Sequence, residues 1–589
     1  MLMNIFTSLR YHILLPIVLI LLPIGNARGT STDSQLDERV RANAAKPIAQ
    51  VDRKPSGENP SPDPDVSNTA PTTEKKSTSQ DESFVLKKIE IECGGEQPDT
   101  CKIFRPDSPE IRSIVQAAEG KSTTLAEIQN IANKITQLYL NRGYITSRGI
   151  LIDQTVTNGV VVIKIIEGGV ESIQITGLRL VKPDYVKSRI QLADLTPLNQ
   201  AKLEDRLRLL RNDPLFRNIE ASLRAGTKLG QSILIVRVKE AEPFRATIGI
   251  DNYLPPSVGS EQLGAAFTYR NWTVSGDRLG VSYRRSTTGG ANLYDFNYSL
   301  PLNPTDGSLQ FRAAINDYRI TDPQLAVFNI RGTSNLYELN YRQPLVRSTQ
   351  EEFALSLGFA FQDGQTFLFN QPQNFGFGPD ANGVSRTSVL KFGQDYIKRD
   401  ASGAWSVNSQ FNFGTGLLNA TTNNRPTPDG RFFSWLGQGQ RLQQLSEDNL
   451  LIASLDFQLT PDSLLPSQQF ILGGGQSLRG YRQSARYGDN GLRLSIEDRI
   501  TLQRNESGSS TLQLAPFIDA GVVWNKDDNP NNASLPTQKF LAGVGLGVLW
   551  EPVPQLNLRV DYGLPLVNLT DRGNNLQDSG VYFSVKYGF

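Results

Sequence analysis

Alternation of apolar and polar residues runs through the C-terminal part of the chain, from Pro243 to the end, and constrains its fold most strongly. In VYFSVKYGF (581–589) every second residue, beginning with the first, is apolar. In LNLRVDYGLPL (556–566) Arg559 and Asp561 lie opposite an aliphatic and aromatic face. Because successive side chains of a strand point to opposite faces, these segments predict strands with one face toward lipid and one toward a polar lumen.

The rest of this region has the same character. Segments rich in Tyr, Phe, Gly and Asn alternate with Asn, Asp, Gly, Pro and Ser turns, and there is no convincing helix. Residues 243–589 have room for about 16 antiparallel strands of about 9–11 residues, with turns and long loops. The pattern therefore predicts a membrane β-barrel, and a large soluble β-sandwich is the alternative that would also alternate.

The N-terminus predicts export from the cytoplasm. Basic residues precede an apolar run at 13–24, and GNA (25–27) is a small-residue cleavage site, so residues 1–27 are typical of a signal peptide. An uncleaved anchor is the alternative. His12 is the only histidine, so cleavage removes histidine-dependent catalysis and histidine metal sites together. We predict no catalytic residue, no metal and no cofactor.

Charge and hydropathy exclude further classes of protein. The 60 Lys and Arg residues nearly cancel the 59 Asp and Glu residues, whereas a nucleic-acid-binding protein needs a basic excess or stripe. After residue 28 no stretch approaches the roughly 20 continuous apolar residues of a transmembrane helix. Residues 28–83 are predicted to be a short charged helix candidate at 33–44 followed by a Pro-rich linker, which cannot build a core.

Between the linker and residue 242 the sequence predicts two copies of one α+β unit. VLKKIEIECG (85–94) and VESIQITG (170–177) both alternate and then stop at glycine, and each is followed by a helical pattern and a closing extended segment. We assign the units to residues 84–168 and 169–242. One larger α+β domain is the alternative.

Two local features of the first unit are informative. Thr124 and Glu127 form the signature of a capping box at the start of a helix that Gly143 ends. Cys93 and Cys101 are the only cysteines, and in an exported protein so close a pair is a disulfide candidate. Two free thiols are the alternative.

This organisation resembles the two-partner-secretion outer-membrane transporters, the haemolysin activator/secretion (ShlB/FhaC/HecB) family of the POTRA-barrel superfamily. LRGYR (478–482) matches the family's V/L-R-G-Y/F loop, and FIDAG (517–521) matches its F-x-D-x-G barrel strand. The aromatic C-terminal residue is similar to the ending of bacterial outer-membrane barrels. Weaker similarities lie in DNY (251–253), GDRL (276–279) and YSLPL (298–302).

The resemblance implies a location and a domain order. Residues 84–168 and 169–242 would be two periplasmic POTRA domains, and residues 243–589 a barrel in the bacterial outer membrane. A loop at 473–489 would fold back into the lumen. In the family an N-terminal helix occupies the resting pore, and residues 33–44 are the candidate here.

The two strongest motifs predict a contact inside the barrel. Alternation along the second motif turns Asp519 toward the lumen, and Arg479 enters the lumen on the glycine-rich loop. A guanidinium binds a carboxylate bidentately, so we predict that this pair latches the loop, with Gly521 leaving space beside it. A solvated external turn and an unrelated strand acid are the alternative. The predicted site residues are Arg479, Gly480, Tyr481, Phe517, Asp519 and Gly521.

The function implied by the resemblance is secretion. An unfolded exoprotein, a β-helical adhesin or haemolysin, would dock on the POTRA domains by β-augmentation and cross the barrel without ATP. Candidate docking edges are residues 145–152 and 219–225. Outer-membrane lipid and the barrel-assembly machinery are the other predicted partners, and no nucleic acid is expected.

Three rival functions remain open on the sequence alone. A protein insertase of the wider POTRA superfamily would insert barrels through a lateral seam. A passive porin needs no periplasmic modules, so residues 84–240 argue against it. A soluble secreted enzyme is disfavoured by the missing histidine and by the barrel-like ending.

Overall fold

The computed structural model describes residues 83–94 and 101–589. They form two compact units that meet in the sequence at 240/241. The predicted signal peptide at 1–27, the helix candidate at 33–44 and nearly all of the linker lie outside the described residues. In the described part of the chain no helix is long and apolar enough to cross a membrane.

The first unit begins with a small α+β module. Its described elements are β1 (Phe84–Val85), β2 (Lys88–Gly94), α1 (Pro109–Gln116), β3 (Ser122–Thr123), α2 (Leu125–Asn141), β4 (Arg148–Leu151) and β5 (Val160–Ile166). The main sheet has the order β2-β5-β4, with β2 parallel and β4 antiparallel to β5, while β1 pairs with β3. Apolar side chains of α1, α2 and this sheet form the core of the module.

The first module contains the predicted helix cap and a bond between its two cysteines. α2 begins at a capping box, in which Thr124 Oγ1 accepts the Glu127 N–H and Glu127 Oε2 accepts the Thr124 N–H, at 3.3 and 3.1 Å. Cys93 and Cys101 are joined by a disulfide with an S–S distance of 2.00 Å, and both lie in the apolar core.

A second module of the same kind follows. It contains β6 (Gly169–Thr176), α3 (Pro183–Gln191), α4 (Gln200–Arg211), β7 (Phe216–Ala225) and β8 (Gln231–Glu240). Its sheet order is β6-β8-β7, so β6 lies parallel to the closing strand just as β2 does in the first module. The two modules have separate apolar cores, as two small domains would and as one larger domain would not. β5 and β6 flank the predicted division at 168.

The second unit is all β. Its strands are β9 (Phe244–Asp251), β10 (Gln262–Arg270), β11 (Arg278–Ser286), β12 (Ala291–Pro301), β13 (Ser308–Arg319), β14 (Arg331–Arg347), β15 (Glu351–Leu368), β16 (Gln371–Pro372), β17 (Val384–Asp400), β18 (Gly403–Thr415), β19 (Phe433–Gln444), β20 (Asn449–Leu459), β21 (Phe470–Leu472), β22 (Arg486–Gly488), β23 (Asn490–Arg504), β24 (Ser510–Trp524), β25 (Phe540–Trp550), β26 (Leu556–Pro565) and β27 (Val581–Gly588). Five single-turn 3₁₀ segments lie in its loops, at 256–258, 326–328, 417–419, 466–468 and 530–534.

These strands close into an antiparallel barrel of 16 strands, as predicted. β16 extends the edge of β15, and β21 and β22 form a separate hairpin. The barrel closes where β27 pairs with β9, from Ser584 opposite Asp251 to Gly588 opposite Thr247. Short turns lie at the end where β9 begins, and the long loops, including 460–489, lie at the opposite end, which we call the long-loop end.

Exposure alternates along the strands as the sequence predicts. On β26, Val560 and Tyr562 are each 49% exposed, whereas Asp561 between them is 0% exposed. Apolar side chains therefore cover the outside of the barrel and charged side chains line the inside, which is the arrangement for lipid outside and water inside. The soluble sandwich with a dry interior is excluded by the closed barrel.

Candidate functional site

The loop at 473–489 descends from the long-loop end into the lumen on the β21–β22 hairpin. Gly473 and Gly474 both have φ of +106°, and Gly480 has φ of +99°. L-residues with a side chain rarely adopt such values, so glycine is required where the chain reverses. Arg479 lies at the tip of the loop, where its side chain is surrounded by side chains of β23, β24 and β26.

At the tip, Arg479 and Asp519 form a bidentate ion pair. Arg479 Nε donates to Asp519 Oδ2 at 2.7 Å, Nη2 donates to Oδ1 at 2.9 Å, and the Arg479 backbone N–H also reaches Oδ2 at 3.0 Å. The two side chains are 6% and 0% exposed. The guanidinium also lies over the ring of Phe517, 3.3 Å from its centre. A cation over an aromatic face adds to the attraction.

The pair belongs to a larger buried network. Arg479 Nη1 donates to Glu497 Oε2 at 2.6 Å and lies 3.9 Å from Asp561 Oδ1. Arg559 bridges the same two acids, at 2.7 Å from each. Arg499 also binds Glu497, at 2.8 Å. Three arginines and three carboxylates thus neutralise one another, as buried charges must.

The residues after Arg479 are held through their backbone. Tyr582 accepts the Gly480 N–H at 2.9 Å and donates its hydroxyl hydrogen to the Tyr481 carbonyl at 2.7 Å. Space for this backbone comes from glycines of the wall. A Cβ at Gly563 would approach the Gly480 nitrogen to 2.6 Å, and one at Gly543 would overlap the Arg479 carbonyl oxygen.

The outer part of the loop, its stem, is tied to the β26–β27 loop. Arg482 binds Asp578 with two hydrogen bonds, at 2.8 and 2.7 Å. Arg486 binds Asp571 with two more, at 2.8 and 2.9 Å. Burial raises the pKa of Asp571 and the Arg486 guanidinium lowers it, with a net pKa below the ordinary value. The loop is therefore anchored at two levels, one deep in the lumen and one near the mouth.

The architecture and this loop agree with two family profiles. The profile described as Haemolysin secretion/activation protein ShlB/FhaC/HecB matches residues 230–549. The chain belongs to the ShlB/FhaC/HecB family. A second profile, the POTRA domain of ShlB type, matches residues 100–168 in the first module.

Individual proteins show the same likeness over most of the chain. The heme/hemopexin transporter protein HuxB of Haemophilus influenzae (strain 86-028NP) is 22% identical over 484 residues, covering 80% of this chain and 82% of HuxB. The hemolysin transporter protein ShlB of Serratia marcescens is 24% identical over 442 residues, covering 72% and 74%. The solved structure of CdiB from Escherichia coli has 20% identity and a TM-score of 0.68, over 97% of this chain and 99% of CdiB, which shows the shared fold.

Family membership shows in which membrane the barrel lies and which compartment each of its ends faces. As an ShlB/FhaC/HecB member the chain is a two-partner-secretion transporter of the outer membrane, with its POTRA modules in the periplasm. The short-turn end of the barrel therefore faces the periplasm, and the long-loop end faces the cell exterior. Among the described residues, no group of His, Cys, Asp or Glu is arranged to hold a metal ion.

The structure brings most of the predicted site residues together, but Gly521 does not border the Arg479–Asp519 pair as predicted. Arg479, Asp519 and Phe517 are in direct contact, and Gly480 and Tyr481 lie beside them. Gly521 faces the lumen, but the space it leaves is filled by Leu472, whose Cδ2 would lie 2.9 Å from a Cβ there. The space beside the tip comes from β25 and β26 instead.

Four of the six charged residues of the network were not among the predicted site residues: Glu497, Arg499, Arg559 and Asp561. Arg559 and Asp561 were placed on the lumen face by alternation, but nothing in their strand connects them with Arg479. Glu497 lies opposite Phe517 in the β23–β24 register, which a correct strand pairing would have revealed. Tyr582 gives no such signal, because its partner is the backbone of a loop about 100 residues away.

Proposed function

We propose that the barrel secretes one exoprotein partner, which reaches the periplasm unfolded and crosses the lumen to the cell surface. The chain belongs to a secretion family and forms a closed barrel with a loop held in its lumen. These two observations support the proposal. The partner is a β-helical protein of adhesin or haemolysin type. Transport needs no ATP, because folding of the partner outside makes its return unfavourable.

The partner docks on a POTRA sheet edge by β-augmentation, and β7 fits better than β4. β7 has ten residues and forms one outer edge of its sheet. β4 has only four residues, and its Gly149 N–H is already accepted by Thr136 Oγ1 of α2, at 3.0 Å. An incoming strand needs free backbone groups, so we place docking at residues 219–225 rather than at 145–152.

The role of the Arg479 network is to hold the loop at 473–489 in its seat. Removing one partner from a buried ion pair leaves a charge without compensation, which costs about 3–5 kcal/mol. The loop therefore has one strongly preferred position. The wall behind it remains fixed while the partner passes through the rest of the lumen.

The apolar outer surface of the barrel takes outer-membrane lipid as its second partner. Exposed side chains on neighbouring strands form this surface, such as Val548 on β25 and Val560 on β26. Such a surface has to enter the membrane from the periplasm, so the barrel-assembly machinery is its third partner.

The test of secretion uses cells that carry this chain together with the product of a neighbouring gene for a long exported repeat protein. The repeat protein should reach the medium when the barrel is present and accumulate in the periplasm when it is deleted. The strand registers direct the N–H groups of Ala221 in β7 and Leu151 in β4 away from the neighbouring strand, toward the sheet edge. Ala221→Pro should therefore reduce secretion, because it removes an edge donor without breaking a ladder hydrogen bond, and the matched Leu151→Pro should reduce it less.

The insertase alternative predicts a different result from the same cells. Deletion of the chain would lower the level of other outer-membrane barrels, and barrels rather than a repeat protein would co-purify with it. Periplasmic accumulation of the repeat protein with normal levels of other barrels excludes the insertase. The opposite pattern excludes secretion.

A further inference from the structure

One sector of the lumen wall differs from the rest in chemistry. Along β18, Trp405 and Phe413 point outward and are 48% and 46% exposed. The odd-numbered residues of β18 therefore face outward, and the even-numbered residues face the lumen. β19 continues this face, with Asn408 opposite Gln438. We call the lumen-facing polar residues of these strands the amide strip: Ser406, Asn408, Gln410, Asn412, Ser434, Gln438 and Gln440.

The amide strip carries no charge. β18 and β19 are fully described, and Arg441 is the only charged residue in either. Arg441 lies on the outer face, where its guanidinium is 5.4 Å from the centre of the Trp405 ring. The strip is therefore neutral along the whole length of both strands.

Charged walls flank the amide strip on both sides. On one side Lys391 of β17 binds Glu338 of β14, at 2.9 Å. On the other side Arg493 of β23 binds Asp456 of β20, at 2.5 Å, and the Arg479 network follows. A neutral sector two strands wide thus separates two sectors of ion pairs.

Several amides of the strip have hydrogen-bonding capacity to spare. Within the described residues Gln438 has no side-chain hydrogen bond, and Gln410 uses one donor, to Asn412 at 2.6 Å. Both side chains are half-buried and face the lumen. A side-chain amide has two N–H donors and a carbonyl acceptor, which are the groups that a peptide backbone offers in return.

We propose that the unfolded exoprotein crosses the lumen in extended form along the amide strip. This rests on the proposed secretion function. Passage through a pore requires binding that is strong enough for entry and weak enough for release. Neutral hydrogen bonds have a small net value, whereas a charged wall attracts opposite charges and repels like ones. A neutral amide wall therefore treats all segments of a long partner alike.

A matched pair of variants tests the need for neutrality. Gln438→Glu places one carboxylate in the amide strip, and Asn340→Asp makes the same change on β14, between the lumen-facing Glu338 and Arg342. We expect Gln438→Glu to slow secretion of the neighbouring-gene repeat protein about threefold, as one weak ion pair would. Asn340→Asp should leave the rate unchanged. Equal slowing by both variants would overturn the proposal.

Photocrosslinking locates the path directly. A benzoylphenylalanine replaces Gln438 in the amide strip or Asn340 on β14. Gln440 is the second position in the strip, for use if the protein with the Gln438 replacement does not fold. The repeat protein carries a folded C-terminal domain that stalls it in the barrel. We expect crosslinks to the repeat protein from the amide strip, and at most one-tenth of that yield from Asn340.

The outcomes separate the path from the function. Crosslinks that are stronger from Asn340, or absent from all positions while secretion continues, overturn the path and leave secretion standing. Crosslinks from Gln438 only to residues 28–83 of the same chain would assign the strip to a resident plug and also overturn it. Absence of secretion by the unmodified chain would overturn the proposed function itself.

Discussion

The tip and the stem of the re-entrant loop are held by the same ion-pair chemistry in different surroundings. At the tip, the Arg479 and Asp519 side chains are 6% and 0% exposed. At the stem, Asp571, the partner of Arg486, is 51% exposed. Breaking a buried pair costs about 3–5 kcal/mol, whereas an exposed pair contributes about 0–1 kcal/mol. The tip therefore fixes the position of the loop, and the stem adds a smaller contribution.

Arg479→Ala should have the largest effect. It leaves Asp519 and Glu497 buried without this cation, so the tip should leave its seat and secretion should fall at least about 100-fold. The barrel should still assemble, which heat-modifiable migration in gel electrophoresis checks. Arg479→Lys is the control, because one ammonium cannot bind a carboxylate bidentately, and an intermediate loss is expected. Normal secretion by Arg479→Ala would remove the distinction between tip and stem.

Reversing the tip pair should give almost as large a loss. Exchange of the two charges, Arg479→Asp with Asp519→Arg, would be expected to restore activity if the pair stood alone. In the structure the new carboxylate would meet Glu497 and Asp561, which lie 2.6 and 3.9 Å from the Arg479 guanidinium. We therefore expect secretion below one-tenth of normal. Restored secretion would show that the pair acts without the rest of the network.

Arg482→Ala should have a smaller effect, because its pair is intermediate in burial. The Arg482 side chain is 27% exposed and Asp578 is 3% exposed. Loss of the guanidinium leaves a buried carboxylate close to the mouth, where water can replace part of the interaction. We expect secretion to fall about threefold to tenfold. A loss as large as that of Arg479→Ala would place the controlling contact in the stem.

Asp571→Asn should change secretion by less than about twofold. Arg486 keeps its hydrogen bonds to the Gln538 and Ala485 carbonyls, at 2.7 and 2.6 Å. The pKa of Asp571 lies below its ordinary value of 3.8. A lowered pKa means that the contribution of the pair is complete above the ordinary value and is lost only as the pH falls below it. Hydrogen exchange of the stem should therefore not change between about pH 8 and pH 5, apart from the intrinsic rate.

The architecture could be predicted from the sequence because strand alternation is a local property. The faces of β26 and β27, the two modules and the strand count all follow from periods and turn residues. Arg479 and Asp519 could be joined only because two family motifs indicated it. Glu497 and Tyr582 could not be joined to them, since contacts across a barrel depend on strand register and on the depth that a loop reaches. Gly521 was assigned the wrong neighbour for the same reason.

Hydrogen exchange at the loop tip tests the seating of the loop most directly. The backbone N–H groups of Arg479 and Gly480 are bonded to Asp519 and Tyr582, at 3.0 and 2.9 Å. In the purified protein in lipid nanodiscs, the peptide covering 478–482 should exchange slowly, and Arg479→Ala should raise its exchange by at least about 100-fold while Asp571→Asn does not. Fast exchange of this peptide in the unmodified protein, or equal exchange in all three, would contradict a seated tip.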